Sequence, residues 1–596
     1  MTVNQAITPL LPSLDSFRSA GIFGHAEVQA AAAIARLEPD TPQSVLLAYA
    51  LAVRAPLWGH VCVDLATAET TIPVDDPTIE LVWPDPTSWI ADVEASPLVR
   101  TLRADSSGQL QRQPLALEGS RLYLDRYARY ERLVAIQLAS RAGAVTNAGA
   151  DPILNRFFSS DPTDKQRSAA AVALGSNLAI IAGGPGTGKT RTVARLLAAL
   201  LTVADEAGRP TTVALAAPTG KAAARMTEAV RRELADLELT PQVDAQLGEV
   251  EASTIHRLLG TTGSNRFVHD RLNPLTNDIV VIDESSMVSL PLMARLLDAL
   301  RPDAKIVLVG DPFQLASVEA GAVLGDLIDS SNLPDSILRP HTIALDRVHR
   351  FGVDSGIAKL ATAIREGDAS EALRVLRDQR LTDVALIDPT DGSAVAQIEQ
   401  QAVASATSVI ESALRGDAAT ALLAATEFKI LAATKQGPFG VQWWTERITQ
   451  HCAEVISKAD QYNPWYVGRP VIITQNDAVQ RVFNGDVGVT LDLEGTRSIA
   501  LPEQDGIRYL PAVRLGAVDT WWAMTIHKSQ GSEFPNVVVT LPAVASPIVS
   551  RELLYTGVTR AKASVTIIAT ESTLRAGIMK QVVRTSGLGL LLRGSA

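Results

Sequence analysis

The sequence is poor in cysteine. Cys62 and Cys452 are the only two cysteines among 596 residues. They exclude a disulfide framework, a CxxC redox pair and a cysteine-rich zinc or iron–sulfur site, because each of these needs more thiols or a closer spacing. The composition is therefore typical of a protein from a reducing compartment.

Positive charge is also scarce. Lys and Arg number 54 against 65 Asp and Glu, so the formal net charge is −11. A protein that attracts nucleic acid over its whole surface carries an excess of positive charge, so any nucleic-acid site here has to be local. Aromatic residues make up only 5% of the chain, and we expect Trp443, Trp444, Trp521 and Trp522 to pack in cores rather than to stack on bases.

Targeting signals and long apolar runs are missing. The N-terminus MTVNQAITPLLPSLDSF lacks the basic stretch and apolar core of a secretory signal, and the apolar run 193–204 is interrupted by Arg195. We therefore expect a cytoplasmic protein without a membrane segment. Hydrophobic residues nevertheless make up 46% of the chain, and at roughly 100–200 residues per domain the length predicts about three to five domains.

Short apolar runs alternate with helical stretches in two parts of the chain. The runs are LAIIAGG, TVALAAP, DIVVIDE and KIVLVGD after residue 177, and FKILAAT, NVVVTLP and SVTIIAT near the C-terminus. Buried parallel strands have this pattern, and α/β folds bind ligands at the carboxyl ends of such strands. The sequence therefore predicts two α/β cores, and the Val- and Gly-rich stretch 466–518 predicts a small β-rich insertion between them.

The segment after the first of these strands has the pattern of a P-loop. It consists of Gly183, Gly184, Pro185, Gly186, Thr187, Gly188, Lys189 and Thr190, and a helical run follows. Glycines let backbone N–H groups surround phosphates, Lys189 meets the β- and γ-phosphates of ATP, and the Thr190 hydroxyl holds Mg²⁺. An ordinary glycine-rich turn would not need this strand and helix on either side.

Two carboxylates end the strand IVVI. Asp283 is predicted to hold Mg²⁺ through its water, and Glu284 to polarise the water that attacks ATP. Further along, Gln314 in GDPFQL is placed to sense the γ-phosphate. Thr219 in PTGKAA and His256 in STIH open helices, whose free N–H groups suit a nucleic-acid phosphate. Each of these last three elements alone is more typical of a loop or a helix cap.

The order of these elements along the chain resembles that of the superfamily 1 helicase motifs. The resemblance is to the RecD family in particular, the alpha subunits of RecBCD (exodeoxyribonuclease V) complexes, and it extends from about Leu122 to the end. The matching strings are Gln166 and then GGPGTGKT, APTGKAAARM, STIHRLLG, VIDESSM, GDPFQLASVEAGAVLGD, VHRFGVDSGI, NGDVG, WWAMTIHKSQGSEF and RELLYTGVTRAK.

The resemblance implies further residue roles. Gln166 would recognise adenine, Gln314 would couple hydrolysis to movement, and Arg350 and Arg560 would be arginine fingers that neutralise the charge of phosphoryl transfer. The residues that would join the ATP site to the DNA site are Lys528, Gly531 and Glu533. The residues that would contact single-stranded DNA are Thr219, His256, Thr525 and His527. For His527 a hydrogen-bonded structural role is an equal alternative, and either arginine has the alternative of a surface ion pair.

The resemblance and the composition together predict the domains. We expect a mainly helical N-terminal partner-docking domain over 1–118, and a first RecA-like core with a parallel sheet over 119–349. The second RecA-like core is expected over 350–440 and 520–596, interrupted by an SH3-like β-barrel insertion over 441–519. The alternative for residues 1–118 is a packing domain that only braces the first core.

The resemblance implies an ATP-driven 5′-to-3′ single-strand DNA translocase and helicase. It would act on duplex ends in double-strand break repair with RecB-like and RecC-like subunits, and a partner would carry the nuclease site. One alternative is a free-standing RecD-like helicase, whose N-terminal extension would be longer. A catalytically silent subunit and a small-molecule P-loop kinase are others, disfavoured by the intact motifs and by the second core.

Overall fold

The computed structural model describes most of the chain. The described residues are 12–72, 74, 79–102, 113–143, 145, 151–161, 163–261, 266–347, 352, 355–456, 460, 463–477, 479–503, 506–544 and 546–593. Arg350, the first of the two expected arginine fingers, lies outside them.

The N-terminal unit combines helices with a small sheet. Its elements are α1 (Pro12–Ser19), α2 (His25–Leu37), α3 (Gln43–Arg54), β1 (Val63–Asp64), α4 (Ala68–Thr71), α5 (Pro86–Ala95), β2 (Val99–Thr101), β3 (Leu115–Glu118) and β4 (Arg121–Leu124). The strands form a sheet in the order β1-β4-β3-β2. Because β3 and β4 pair as an antiparallel hairpin, a boundary between residues 118 and 119 divides two paired strands, and this unit ends at Leu124 instead.

The first core begins with the helix that directly follows β4. Its elements are α6 (Asp125–Arg141), α7 (Asp151–Phe157), α8 (Lys165–Gly175), β5 (Leu178–Gly183), α9 (Lys189–Glu206), β6 (Val213–Ala217), α10 (Gly220–Leu234), α11 (Pro241–Gly248), β7 (Ala252–Thr254), α12 (Ile255–Leu259), β8 (Ile279–Ile282), α13 (Leu290–Asp298), β9 (Lys305–Gly310), α14 (Val323–Ser331) and β10 (Thr342–Leu345). The strands make a parallel sheet in the order β10-β5-β9-β8-β6-β7. Strands β5 and β8 are buried along their whole length, as expected for central parallel strands covered by helices on both faces.

The second core is a smaller parallel sheet. Its elements before the insertion are α15 (Gly356–Glu366), α16 (Ala369–Arg377), β11 (Val384–Ile387), α17 (Gly392–Leu414), α18 (Ala418–Glu427), β12 (Phe428–Ala432) and α19 (Val441–His451). Residues 441–519 were expected to form the insertion, but α19 packs against β12 and its Trp444 is buried in the core of this unit. The helix therefore belongs to the second core.

The insertion and the rest of the second core complete the fold. The insertion contains β13 (Pro470–Ile473), β14 (Val487–Leu493), β15 (Thr496–Glu503), β16 (Gly506–Pro511) and β17 (Val518–Thr520), and the core continues with β18 (Ala523–Thr525), β19 (Phe534–Thr540), α20 (Arg551–Val558), β20 (Ala561–Ile568), α21 (Glu571–Met579) and α22 (Leu588–Leu591). The core strands lie in the order β11-β20-β19-β12-β18 and are parallel. The insertion is an antiparallel sheet in the order β16-β15-β14-β13-β17, and its closure into an SH3-like barrel stays a prediction.

Residues 580–593, here called the return segment, run from the second core back to the first core. Val61 N in the N-terminal unit donates to Thr585 O over 2.9 Å, and Glu131 on α6 accepts from Ser586 Oγ over 2.7 Å and from Gly587 N over 2.9 Å. Helix α22 packs on α6 and α14, and Leu588 is fully buried among first-core residues. The return segment therefore holds three units of the chain together.

We predict that Leu588→Ala lowers the free energy of unfolding of the first core by about 2–4 kcal/mol, because it removes a fully buried side chain and leaves a cavity. Leu590→Ala is the matched control on the same helix, since Leu590 is 40% exposed, and we expect a change of about 0.5 kcal/mol or less. Chemical denaturation followed by fluorescence measures both. Equal effects of the two substitutions would mean that α22 does not pack as described.

Candidate active site

The P-loop connects β5 to α9. Gly186 and Gly188 have φ angles of +76° and +82°, a left-handed conformation that glycine adopts without strain. A Cβ on Gly183 would lie 2.5 Å from Thr187 Oγ1, so the first position also requires glycine. Lys189 Nζ donates to the carbonyls of Gly183 and Gly184 over 2.7 and 3.0 Å. Its ammonium group therefore lies at the loop itself, next to the positive end of the α9 dipole.

The two carboxylates follow β8 directly. Glu284 has a φ of +50°, which is uncommon for a residue with a side chain, and its N–H donates to Asp283 Oδ1 over 2.9 Å. Burial and the neighbouring Glu284 raise the pKa of Asp283 to about 6, although Lys189 and Arg225 act in the opposite direction. Above that pH Asp283 is a carboxylate held in a site of low polarity, which favours a divalent cation.

Residues of both cores line a single cavity of about 380 Å³. Its walls are formed by Pro185, Gly186, Gly188, Lys189, Thr190, Arg191, Ala222, Arg225, Met226, Ala229, Glu233, Asp283, Glu284, Gln314, Gly531, Glu533 and Arg560. Most of the residues that the sequence assigned to ATP and Mg²⁺ are thus brought together. The glycine loop, the ammonium group of Lys189 and the hydroxyl of Thr190 beside Asp283 fit a triphosphate with Mg²⁺.

Gln314 connects the cavity to the second core. Its Nε2 donates to Asp311 Oδ2 over 3.0 Å, and the hydroxyl of Tyr555 on α20 donates to the same oxygen over 3.2 Å. Leu315 N donates to Thr556 Oγ1 over 2.9 Å. Burial raises the pKa of Asp311, and this carboxylate nevertheless links two elements that belong to different cores.

Arg560 approaches the cavity from the second core. Its side chain is only 2% exposed, and its guanidinium group donates to Thr556 O, Ser532 O and Thr559 Oγ1 over 3.1–3.4 Å. Burial lowers the pKa of Arg560, while Glu284 and Glu533 act to raise it. Since the pKa of arginine is so high, the group stays charged and faces the carboxylates across the cleft.

Gln166 lies beside a second cavity, on the other side of the P-loop. This cavity has a volume of about 830 Å³ and is also lined by Thr187, Arg191 and Leu345. Gln166 Nε2 donates to Thr187 O over 3.4 Å, while the side chain of Asp164 caps α8. An adenine bound here would meet a side-chain amide with both donor and acceptor groups, as the prediction requires.

The predicted DNA contacts lie at the carboxyl ends of three parallel strands. Thr219 follows β6 and caps α10 by accepting from Ala222 N over 3.2 Å, and His256 is exposed on α12 after β7. Thr525 ends β18 and is buried, and its Oγ1 accepts from Lys528 N over 3.3 Å.

His527 and Lys528 have surroundings that differ from those of the other predicted contacts. Burial and the charge of Arg584 lower the pKa of His527, so its imidazole is neutral near pH 7 and offers a hydrogen bond rather than a charge. Lys528 Nζ pairs with Asp519 of the insertion over 2.9 Å and does not line the ATP cavity, whereas Gly531 and Glu533 do. The role of Lys528, Gly531 and Glu533 in joining the ATP site to the DNA site stays a prediction.

Three family models match successive parts of the chain. Residues 19–123 match the family described as "RecBCD enzyme subunit RecD, N-terminal domain". Residues 162–385 match an AAA domain, and residues 520–568 match a UvrD-like helicase C-terminal domain.

Whole-chain relatives decide the family. The chain is 44% identical over 587 residues to the RecBCD enzyme subunit RecD of Mycobacterium tuberculosis, covering 97% of this chain and 96% of that protein. The chain belongs to the RecD family. The RecD subunit of Mycolicibacterium smegmatis is 42% identical, with 96% of this chain and 98% of that protein covered. The crystal structure of Bacteroides Pif1 bound to ssDNA is 16% identical, with a TM-score of 0.38 and coverage of 69% and 93%.

Several residues of this RecD chain that contact the site were not predicted. Arg225 lies within the quoted string APTGKAAARM, and Asp311 and Tyr555 lie within GDPFQL and RELLYTGVTRAK. No spacing in the sequence singles them out, because Arg225 lies six residues after Thr219 and residues six apart do not share a helix face. In the described part of the chain no helix is long and apolar enough to cross a membrane, and no group of three His, Cys, Asp or Glu side chains is placed to bind a metal.

We predict that Glu284→Gln binds ATP but hydrolyses it at least about 10²-fold more slowly, because the amide cannot accept a proton from the attacking water. The substitution keeps the size of the side chain and removes the charge that raises the pKa of Asp283. Steady-state ATPase with single-stranded DNA and binding of a fluorescent ATP analogue measure the two effects. A hydrolysis rate near that of the wild type would exclude Glu284 as the base.

Proposed function

We propose that this chain is the RecD subunit of a RecBCD-type helicase–nuclease, and that it moves 5′-to-3′ along single-stranded DNA by hydrolysing ATP. The observation that carries the proposal is the cavity in which the P-loop and carboxylates of the first core meet Arg560 and Glu533 of the second core. A site divided between two cores changes its geometry when they close, so hydrolysis can drive movement.

Each residue of the ATP site is proposed to have a separate chemical role. Lys189 and the N–H groups of the P-loop bind the phosphates, Glu284 accepts a proton from the attacking water, and Arg560 neutralises the charge of the transition state. Mg²⁺, held by Thr190 and Asp283, would supply a further positive charge to the phosphate oxygens. Gln314 reports the state of the γ-phosphate through Asp311 to α20 of the second core.

The DNA path is proposed to follow the carboxyl ends of the strands. Thr219 at the start of α10 and the segment after β18 belong to different cores, and a Cβ on Gly531 would lie 3.8 Å from Thr219 Oγ1. The insertion also reaches this place, since a Cβ on Gly220 would lie 3.3 Å from Phe483 Cβ. A strand bound here would contact both cores, and closure of the ATP cleft would move one contact relative to the other.

The relatives support assembly with RecB-like and RecC-like subunits. They are named as RecBCD subunits and match this chain over nearly its full length, which favours a subunit over a free-standing helicase with a long N-terminal extension. We assign nuclease activity and the processing of duplex ends in double-strand break repair to this complex. The nuclease site would belong to a partner subunit.

We predict that strand displacement by this chain, alone or with the partner motor inactivated, requires a 5′ single-stranded overhang. The substrates are two duplexes of the same sequence that differ only in carrying a 5′ or a 3′ tail. Lys189→Gln is the control, because it deletes the P-loop charge that meets the β- and γ-phosphates and should abolish displacement on both. Preference for the 3′ tail by the active chain would contradict the direction.

The N-terminal unit is proposed to dock the partners. Its residues Val61 and Ala116 belong to the same buried apolar cluster as residues of the first core. The unit therefore also braces the first core, as in the alternative of a packing domain. Its surface nevertheless exposes Leu37 and Val82, whose side chains are 75% and 82% accessible. We propose that these two side chains become buried when the partner subunits bind.

We predict that the double variant Leu37→Glu, Val82→Glu loses co-purification with co-expressed RecB-like and RecC-like subunits, because charges are costly in a buried interface. Its ATPase on single-stranded DNA should stay within about twofold of the wild type, since both side chains point to solvent. Leu423→Glu, at a 64% exposed position on α18, is the matched control and should still assemble. Assembly of the double variant would rule out docking through these two positions.

A further inference from the structure

Arg225 reaches from α10 of the first core to a loop of the second core. Its Nη2 lies 2.8 Å from Glu533 Oε2, and its Nη1 donates to Gly531 O over 3.0 Å. Residues 531–533, here called the 531–533 loop, precede β19, and Gly531 and Glu533 line the ATP cavity on that side. Arg225 therefore connects the two cores at the edge of the cleft.

Arg560 holds the same loop from the opposite side. Its Nη1 donates to Ser532 O over 3.2 Å, and Phe534 N donates to Arg560 O over 2.9 Å. The two arginines thus bind consecutive residues of one short loop. Arg225 contacts Gly531 and Glu533, and Arg560 contacts Ser532 between them. The guanidinium group of Arg560 has two further acceptors, Thr556 O and Thr559 Oγ1 at the end of α20, and Ser532 O is the one that does not belong to its own helix end. The loop therefore helps to set where this buried group lies.

Arg225 also belongs to the helix that opens at the predicted DNA contact. Thr219 caps α10, and Arg225 follows six residues later, about 9 Å along the helix at 1.5 Å per residue. Thr219 and Arg225 therefore lie on one continuous helix, and a shift of α10 as a whole would move the predicted DNA contact and the partner of the 531–533 loop together.

We propose that Arg225 is a positioning residue, which sets the 531–533 loop, and through it Arg560, when the two cores close on ATP. The inference rests on the proposed function. The planar guanidinium group suits this role, since it binds a carbonyl and a carboxylate at once in a fixed geometry, whereas a lysine ammonium group acts as a single point charge. Arg225 lines the ATP cavity, and in this proposal it acts on hydrolysis through Arg560.

The test compares Arg225→Gln and Arg225→Lys with the wild type in ATPase assays on single-stranded DNA. We expect kcat to fall by about 10- to 100-fold in both, as for a displaced catalytic group, with KM for ATP changed by no more than about twofold. Arg231→Gln is the matched control on the same helix: Arg231 pairs with Glu251 outside the cavity, and we expect normal kinetics. Thermal unfolding midpoints check that each variant folds.

The decisive measurement is the double variant Arg225→Gln, Arg560→Gln. If Arg225 acts through Arg560, the double variant is no more than about twofold slower than Arg560→Gln alone. If the losses of kcat in the two single variants multiply in the double variant, the inference is overturned. It is also overturned if Arg225→Gln raises KM for ATP and leaves kcat unchanged, if Arg225→Lys is fully active, or if both Arg225 variants have normal activity. In all of these outcomes the wild type still hydrolyses ATP, so the proposed function stands while this inference fails. If the wild type itself lacks DNA-stimulated ATPase, the proposed function and this inference fail together.

Discussion

The active site depends on opposite charges that face each other across the cleft between the cores. The first core contributes Asp283 and Glu284 at the end of a fully buried strand, and burial raises the pKa of Asp283 to about 6. The second core brings the buried guanidinium group of Arg560 to the same cavity. Glu284 of the first core acts to raise the pKa of Arg560, and Arg225 of the first core pairs with Glu533 of the second, so each core presents charges that the other stabilises.

The two cores are connected at the cleft and through the return segment, and the contacts at these two places differ in kind. At the cleft the contacts are the Arg225–Glu533 ion pair and separate hydrogen bonds, such as those from Tyr555 to Asp311 and from Gln530 Nε2 to Leu315 O. Hydrogen bonds of this kind contribute about 1 kcal/mol each and exchange readily, which suits a cleft that opens and closes. The return segment is anchored instead by a buried apolar helix and by Glu131, a carboxylate whose burial raises its pKa. Its anchorage is therefore expected to persist while the cleft moves.

Much of the active site was predictable because its signals are local. The P-loop, the carboxylate pair and the apolar strands are short contiguous patterns, and the structure places all seven predicted strands in the two parallel sheets. Arg225 and Tyr555 were not assigned roles, because their partners lie far away in the sequence and only the packing of the cores brings them together. The boundary proposed at residue 118 was based on a change in composition, which gives no sign of the short hairpin that pairs β3 with β4 across residue 119.

The order of the contacts suggests how DNA and ATP communicate. Thr219 and Arg225 lie on one helix, and Gly531, Ser532 and Glu533 form the loop that both this helix and Arg560 contact. Under the proposed function, a strand bound at the start of α10 would act on the loop that contacts Arg560, without a contact of its own at the phosphates. Because linkage is reciprocal, closure of the cleft on ATP would then change the affinity of the same helix start for DNA. Cycles of hydrolysis would alternate tight and weak binding of the strand, which is what directional movement requires.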